Sequence, residues 1–277
     1  MLLDVLIDPF GATWAQLRDA ALAAEGAGFD GVWTWDHLAG SVHRATRVPE
    51  CWTVLSALAP LTSRVSLGPM VANVANRPPG TLAVMAATLQ EVCGGRLILG
   101  LGAGGGLDTP YAAEQLALSR TVPGAAVRRR QVEESISVLR AVWSGSTGGV
   151  AGFTRPEPVP PIVVGAFGPK MAALAGRAAD GINCGAGPGL PPLVEVARRA
   201  RAEAGLDAEP FLVTASASLD RRWLDANSAY RRRAEEDGVS RLVMVGSPAE
   251  VIDAARRGSS GPSPWPWRGR TRANDVD

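Results

Sequence analysis

The sequence predicts an α/β protein built as a (β/α)₈ barrel. Three observations carry this. Eight short apolar runs alternate with amphipathic stretches along the chain, and such alternation implies parallel strands joined by crossover helices. The length of 277 residues suits one barrel of about 250 residues plus a tail. Finally, no GxGxxG follows the first apolar run, which weakens the alternative of an open dinucleotide-binding sheet.

Leu2–Asp8 reads as the first strand, and the helix Thr13–Gly26 follows with Thr13 as its N-cap. Phe29–Trp35 is the second strand and Glu50–Thr62 a helix. Val65–Asn73 is the third strand. Pro78–Cys93 is helical, with Leu82, Met85, Leu89 and Val92 at spacings of one face. Leu97–Leu101 is the fourth strand and leads into the glycine run 102–106 excluding Ala103. Arg128–Trp143 is a helix whose Val132, Ile136, Leu139 and Trp143 share a face. Then come the strand Ile162–Gly165, the helix Pro169–Ala179, the strand Gly181–Cys184, the helix Leu190–Gly205, the strand Phe211–Ala217 and the helix Leu219–Gly238. The strand Arg241–Val245 and the helix Pro248–Arg256 end the pattern. Residues 1–255 thus read as one barrel domain. Residues 256–277 are rich in Arg, Gly, Ser and Pro without a periodic apolar face, and are expected to be mostly disordered.

Composition narrows the function. Hydrophobic residues make up 46% and charged residues 20%, and 28 basic against 27 acidic residues leave a formal charge of +1. That balance argues against a nucleic-acid partner, which needs a clustered basic field. No apolar run is long enough to span a membrane, and Asp4 and Asp8 interrupt the first one. No leader peptide is expected, so the default compartment is the cytoplasm. Cys51, Cys93 and Cys184 are far apart, form no CxxC and read as reduced thiols. His37 and His43 are the only histidines and Lys170 the only lysine, so metal sites of the usual spacing are absent.

Barrel sites form where strands end. The second strand ends in Trp33-Thr34-Trp35-Asp36-His37, which places the one strand-end histidine at the mouth. Asp36, its neighbour in an extended segment, points to the other face as a hydrogen-bond acceptor. His43 reads as an exposed loop residue. Trp33 and Trp35 read as an aromatic wall or as core. The glycines after the fourth strand permit close backbone approach or make a flexible loop. Gly165–Pro169 ahead of a helix offers unpaired N–H groups to a phosphate, with Lys170 adding charge, or is a plain turn. The run Arg128–Arg130 reads as a solvated face or a hint of an anionic partner.

The segments AEGAGFDGVWTWDHL (24–38), ECWTVLSALAPLTSRVSLGPMV (50–71), RPPGTLAVMAATLQEVCGGRLILGLGAG (77–104), RRQVEESISVLRAVWSG (129–145), PPIVVGAFGPKMAALAGRAADGIN (160–183) and VGSPAEV (245–251) resemble, in order and spacing, the bacterial luciferase-like family of flavin- or deazaflavin-dependent oxidoreductases. The resemblance implies a barrel that holds an isoalloxazine-type ring at its C-terminal mouth. It implies that His37 is the ring-proximal, catalytic histidine and Asp36 its acidic neighbour. It also implies a bulge at Met70-Val71, often with a non-proline cis peptide. Gly102, Ala103 and Gly104 would be the loop beside the ring, and Gly165, Ala166, Gly168 and Pro169 the phosphate or tail contact.

Two departures stand out. Gly105 occupies the place where one subgroup carries a glutamate, so the sugar-phosphate dehydrogenase chemistry of that subgroup is not expected. Relatives also continue past the SPAEV helix with one more apolar strand, so either Arg241–Val245 closes this barrel or its last strand is missing and the open edge favours a homodimer. The implied function is hydride transfer between coenzyme F420 and a small-molecule substrate. FMN with a monooxygenase activity is the alternative, and a flavin-binding protein without catalysis or an unrelated phosphate-binding barrel are rivals.

Overall fold

A computed structural model describes residues 1–258. Its strands are β1 (Leu2–Ile7), β2 (Gly31–Thr34), β3 (Ser66–Pro69), β4 (Ala72–Asn73), β5 (Leu99–Gly102), β6 (Ile162–Gly165), β7 (Gly181–Gly185), β8 (Leu212–Ser218) and β9 (Arg241–Gly246). The helices are α1 (Trp14–Gly26), α2 (Cys51–Leu58), α3 (Pro79–Val92), α4 (Ala112–Ala117), α5 (Ala125–Ser144), α6 (Pro169–Ala178), α7 (Leu190–Glu203), α8 (Arg221–Leu224), α9 (Ala229–Glu236) and α10 (Pro248–Gly258). All strand pairs are parallel, in the order β3-β2-β1-β9-β8-β7-β6-β5-β4.

β3 and β4 are two pieces of the single third strand expected over 65–73, interrupted at Met70-Val71, whose peptide bond is cis. The two ends of the sheet meet there. Leu67 N–H donates to Arg96 O at 3.0 Å, and Ile98 N–H donates to Leu67 O at 2.9 Å. Counting β3 and β4 as one strand, the sheet is an eight-stranded barrel. β9 pairs with β1 from Leu2↔Arg241 to Ile7↔Gly246 and with β8 from Thr214↔Arg241 to Ser218↔Val245. The possibility of a missing last strand is therefore corrected: Arg241–Gly246 occupies the closing position, and neither β1 nor β9 has an open edge.

Two apolar layers hold the barrel. Inside it, Leu6, Trp33, Met70, Ile98, Val163 and Val243 pack together. A larger layer lies between strands and helices, including Val5, Ile7, Leu55, Leu99, Ile136 and Ile182. Alternate residues of each strand face the two layers. Trp33 belongs to the interior and is 1% exposed, so it is not part of a wall at the mouth. Gly68 makes room for it: a Cβ there would lie 2.7 Å from the indole. At the base, the Trp33 indole N–H donates to Asp4 (2.8 Å), which also accepts two bonds from Arg241 (2.7 and 2.8 Å).

Local rules explain most elements. Thr13 caps α1 in a capping box with Gln16. The face expected for α5 is buried. α3 is rotated from expectation: Leu82, Ala86 and Leu89 are buried, whereas Val92 is 53% exposed. The single helix expected over 219–238 is two, because Asp220 and Ser228 each start a new one as N-caps. α10 runs through the 255/256 boundary. The rest of the expected tail, residues 259–277, lies outside the described residues.

Candidate active site

His37 leaves the end of β2 at the C-terminal mouth, with its side chain 21% exposed. Its Nδ1 lies 3.0 Å from Oε1 of Glu114, whose side chain is 2% exposed. The same oxygen accepts the Ala39 backbone N–H at 3.2 Å. A carboxylate only accepts, so the proton of a neutral imidazole sits on Nδ1 and the Nε2 lone pair is free. Glu114 comes from α4, a helix that periodicity does not reveal. It supplies a carboxylate beside His37 from a different place than position 105.

Four more rings surround this pair. The Phe10 ring lies 5.3 Å from His37 and 4.2 Å from His43, centroid to centroid. Tyr111 lies 5.1 Å from His37 and 5.7 Å from His43. Trp35 stacks on His43 at 5.7 Å with 13° between planes, and His43 meets His37 edge-on at 5.9 Å. His43 is exposed, as its loop position suggested, yet both histidines of the chain converge here. Asp8 closes this side from the end of β1. Burial raises its carboxyl above the ordinary range, partly offset by the Phe10 N–H and the nearby His43.

Asp36 does different work. Its side chain is fully buried and accepts two bonds from Arg77 (2.7 and 2.9 Å), one from the Asn73 N–H (2.9 Å) and one from the Asn76 amide (3.2 Å). Arg77 also pairs with Glu50. Burial pushes Glu50 up, but hydrogen bonds from Thr53 and Trp52 and the Arg77 charge outweigh it and hold the carboxyl low. Asp36 thus pins the chain from Asn73 to Arg77 and offers no free oxygen to the mouth.

The expected ring-binding residues form a second group. Met70 packs into the barrel interior, while Val71 stays partly exposed and lies against Gly102 and Gly165. A Cβ at Gly102 would collide with the Val71 side chain, and one at Gly104 would lie 2.7 Å from the Asn73 amide. These glycines are therefore required by the packing of this chain, and the loop is not merely flexible. Ala103 is partly buried and Ala166 is 1% exposed. Gly168 and Pro169 start α6, where no side chain caps the helix, no atom lies within 4 Å of a Cβ at Gly168, and Lys170 is exposed.

Cys51, Cys93 and Cys184 are free and buried, and burial pushes the Cys184 thiol up to about 11 and Cys51 well above its ordinary value. Among the described residues no group of three or more His, Cys, Asp or Glu could hold a metal, and no helix is long and apolar enough to cross a membrane. A cavity of ≈ 240 Å³ lies among Gly145, Thr147, Val150, Phe153 and Arg155 and contains none of the residues above.

The relatives of the chain agree with this architecture. An F420-dependent glucose-6-phosphate dehydrogenase of Microbacterium testaceum is 33% identical over 177 residues, 60% of this chain and 51% of that protein. A 5,10-methylenetetrahydromethanopterin reductase of Archaeoglobus fulgidus is 29% identical over 245 residues, 83% of this chain and 66% of that protein. The aligned region thus spans about half the length of the glucose-6-phosphate dehydrogenases it matches. An F420-dependent secondary alcohol dehydrogenase in complex with an F420-acetone adduct shares the fold, with a TM-score of 0.77 at 20% identity, covering 91% of this chain and 96% of that one. The family model described as luciferase-like monooxygenase matches residues 6–222. With that model matched over well more than half of its length, the chain belongs to the luciferase-like family.

Proposed function

We propose that the chain is an oxidoreductase that uses coenzyme F420 to exchange a hydride with a small organic substrate, with His37 handling the proton. The observation that carries this reading is the His37–Glu114 pair at the barrel mouth. Nε2 accepts a proton from a substrate hydroxyl in one direction and returns it in the other, and Glu114 stabilises the imidazolium formed in between. Such general acid–base help is worth about 10²–10⁴-fold in rate.

The residues present fit the cofactor. Val71, the side chain that would flank the ring, packs against Gly102 and Gly165. At the uncapped start of α6, Pro169 has no N–H and the Met171 and Ala172 N–H groups donate to Gly168 O, so the Gly168 and Lys170 N–H groups are the seat for the anionic tail of such a cofactor, with the Lys170 side chain adding charge. When bound, deazaflavin supplies a hydride-carrying carbon that reacts poorly with oxygen. The F420-dependent glucose-6-phosphate dehydrogenases matched at 31–34% identity favour it over FMN.

Absorbance titration tests the choice. The protein is expected to bind F420 with a Kd of about 1 μM or tighter, roughly −8 kcal/mol, and FMN at least tenfold more weakly. Purification with tightly held FMN overturns the assignment.

A further inference from the structure

The mouth around His37 is unusually rich in rings. Phe10 follows β1, Trp35 follows β2, His43 lies in the next loop and Tyr111 follows β5, with neighbouring centroids 4.2–5.9 Å apart. Two more apolar side chains stand on loops that follow strands: Leu107 after β5 is 69% exposed, and Phe167 after β6 is 95% exposed. Sites for apolar small molecules have this composition, with few polar groups among aromatic walls.

The charges near the rings are of the wrong sign for a phosphate. Asp8 and the buried Glu114 flank the two histidines, and the Glu250 charge reaches Asp8. Phosphate recognition uses guanidinium forks or ammonium groups, and the arginines of the adjoining loops already donate to protein acceptors. Arg77 serves Asp36 and Glu50, Arg120 donates to the carbonyls of Ala75 and Asn76, and Arg128 donates to that of Pro123 from one terminal nitrogen while its buried Nε has no partner. Arg44 and Arg47, after His43, are exposed, and exposed charges contribute little to holding an anion against two carboxylates.

We propose that Phe10, Trp35, His43 and Tyr111 form the wall on which the substrate lies, and that the substrate is an uncharged molecule whose flat, ring-bearing body carries a carbinol or carbonyl carbon beside His37. This rests on the hydride-transfer reading above. In the oxidative direction the carbinol C–H bond breaks and its electron pair leaves with the hydrogen to the oxidised deazaflavin. The O–H proton passes to His37 Nε2 and a C=O bond forms; reduction is the reverse. A phosphorylated sugar in this place meets the carboxylates of Asp8 and Glu114.

Three measurements test this. The first follows binding of 2-naphthol by its own fluorescence, with and without F420. The second compares turnover of 1-phenylethanol with that of glucose 6-phosphate in the F420-loaded protein. The third repeats both in His43→Ala/Tyr111→Ala and in the ring-preserving His43→Phe and Tyr111→Phe. Naphthol is expected to bind the protein with or without F420. The alanine pair should raise its Kd and the KM for phenylethanol at least tenfold, leave the F420 Kd within twofold, and be rescued in KM by the phenylalanine variants. The value of kcat/KM for glucose 6-phosphate should be at least 100-fold lower than for phenylethanol. Preferential turnover of glucose 6-phosphate overturns the proposal while leaving the hydride-transfer reading intact. A loss of F420 affinity rather than naphthol affinity in the alanine pair assigns the wall to the cofactor and also overturns it. Failure to bind F420 sinks the hydride-transfer reading instead, and naphthol binding by the protein alone then still supports or, if absent, refutes the wall.

Discussion

Replacing Arg241 by Met removes the guanidinium from the barrel base and leaves Asp4 buried with no cationic partner. Asp4 is 0% exposed and accepts two bonds from Arg241 and one from the Trp33 indole. Breaking a buried pair from one side costs about 3–5 kcal/mol, which for a chain of this size lowers Tm by roughly 10 °C. The penalty depends on pH. Burial raises the Asp4 carboxyl above its ordinary range, and Arg241 and Trp33 oppose that rise. A carboxyl raised in the folded state binds its proton more tightly there than in the unfolded chain. Its contribution is full below the unfolded value of about 3.9 and is lost as pH climbs through the folded value. Without Arg241 the folded value climbs further, so the gap between wild type and Arg241→Met widens as pH rises above the ordinary carboxylate range. The double variant Asp4→Leu/Arg241→Met removes the stranded charge and recovers much of the loss. Urea or thermal unfolding at several pH values measures all three proteins. A gap that does not change with pH, or a double variant as unstable as Arg241→Met, refutes the reasoning.

Other outcomes follow from the same structure. His37→Ala is expected to cut turnover by about 10²-fold or more with Tm nearly unchanged; a large stability loss with activity per folded molecule intact makes the residue structural. Glu114→Gln keeps a hydrogen-bond acceptor for Nδ1 but removes the charge that stabilises the imidazolium. Steady-state kinetics should show kcat lowered about tenfold or more with KM little changed, and an unaltered kcat refutes the role assigned to the carboxylate. Because β9 already hydrogen-bonds to both β8 and β1, removal of residues 259–277 should leave Tm and F420 affinity unchanged, and loss of folding on deletion contradicts this.

Much of the fold is legible in one dimension because its signals are local. Eight apolar runs separated by helical periodicity mark eight strands, and Thr13 marks a helix start through hydrogen bonds to Gln16, whereas Asp220 and Ser228 cap two helices where the sequence suggested one. His37 is legible for the same reason, since it stands at the end of a strand whose direction alternation sets. The surroundings of His37 are not. Glu114 is 77 residues away in sequence and sits in a six-residue helix too short to show a period. His43 has the sequence context of any exposed loop residue.

The chain by itself thus determined the barrel, the strand-end histidine and the absence of a spanning run, all properties set by residue type and short-range spacing. The tertiary structure decided what each side chain meets. It sent Trp33 to the interior and Trp35 to the mouth, tied Asp36 to Arg77, and gave the closing position to β9. It also brought Glu114, Tyr111, Phe10 and His43 around His37 from separate loops. The physical reason is that a barrel closes on itself: residues distant in sequence become neighbours only once eight strands share one register, and no local pattern encodes which loops then meet at the rim.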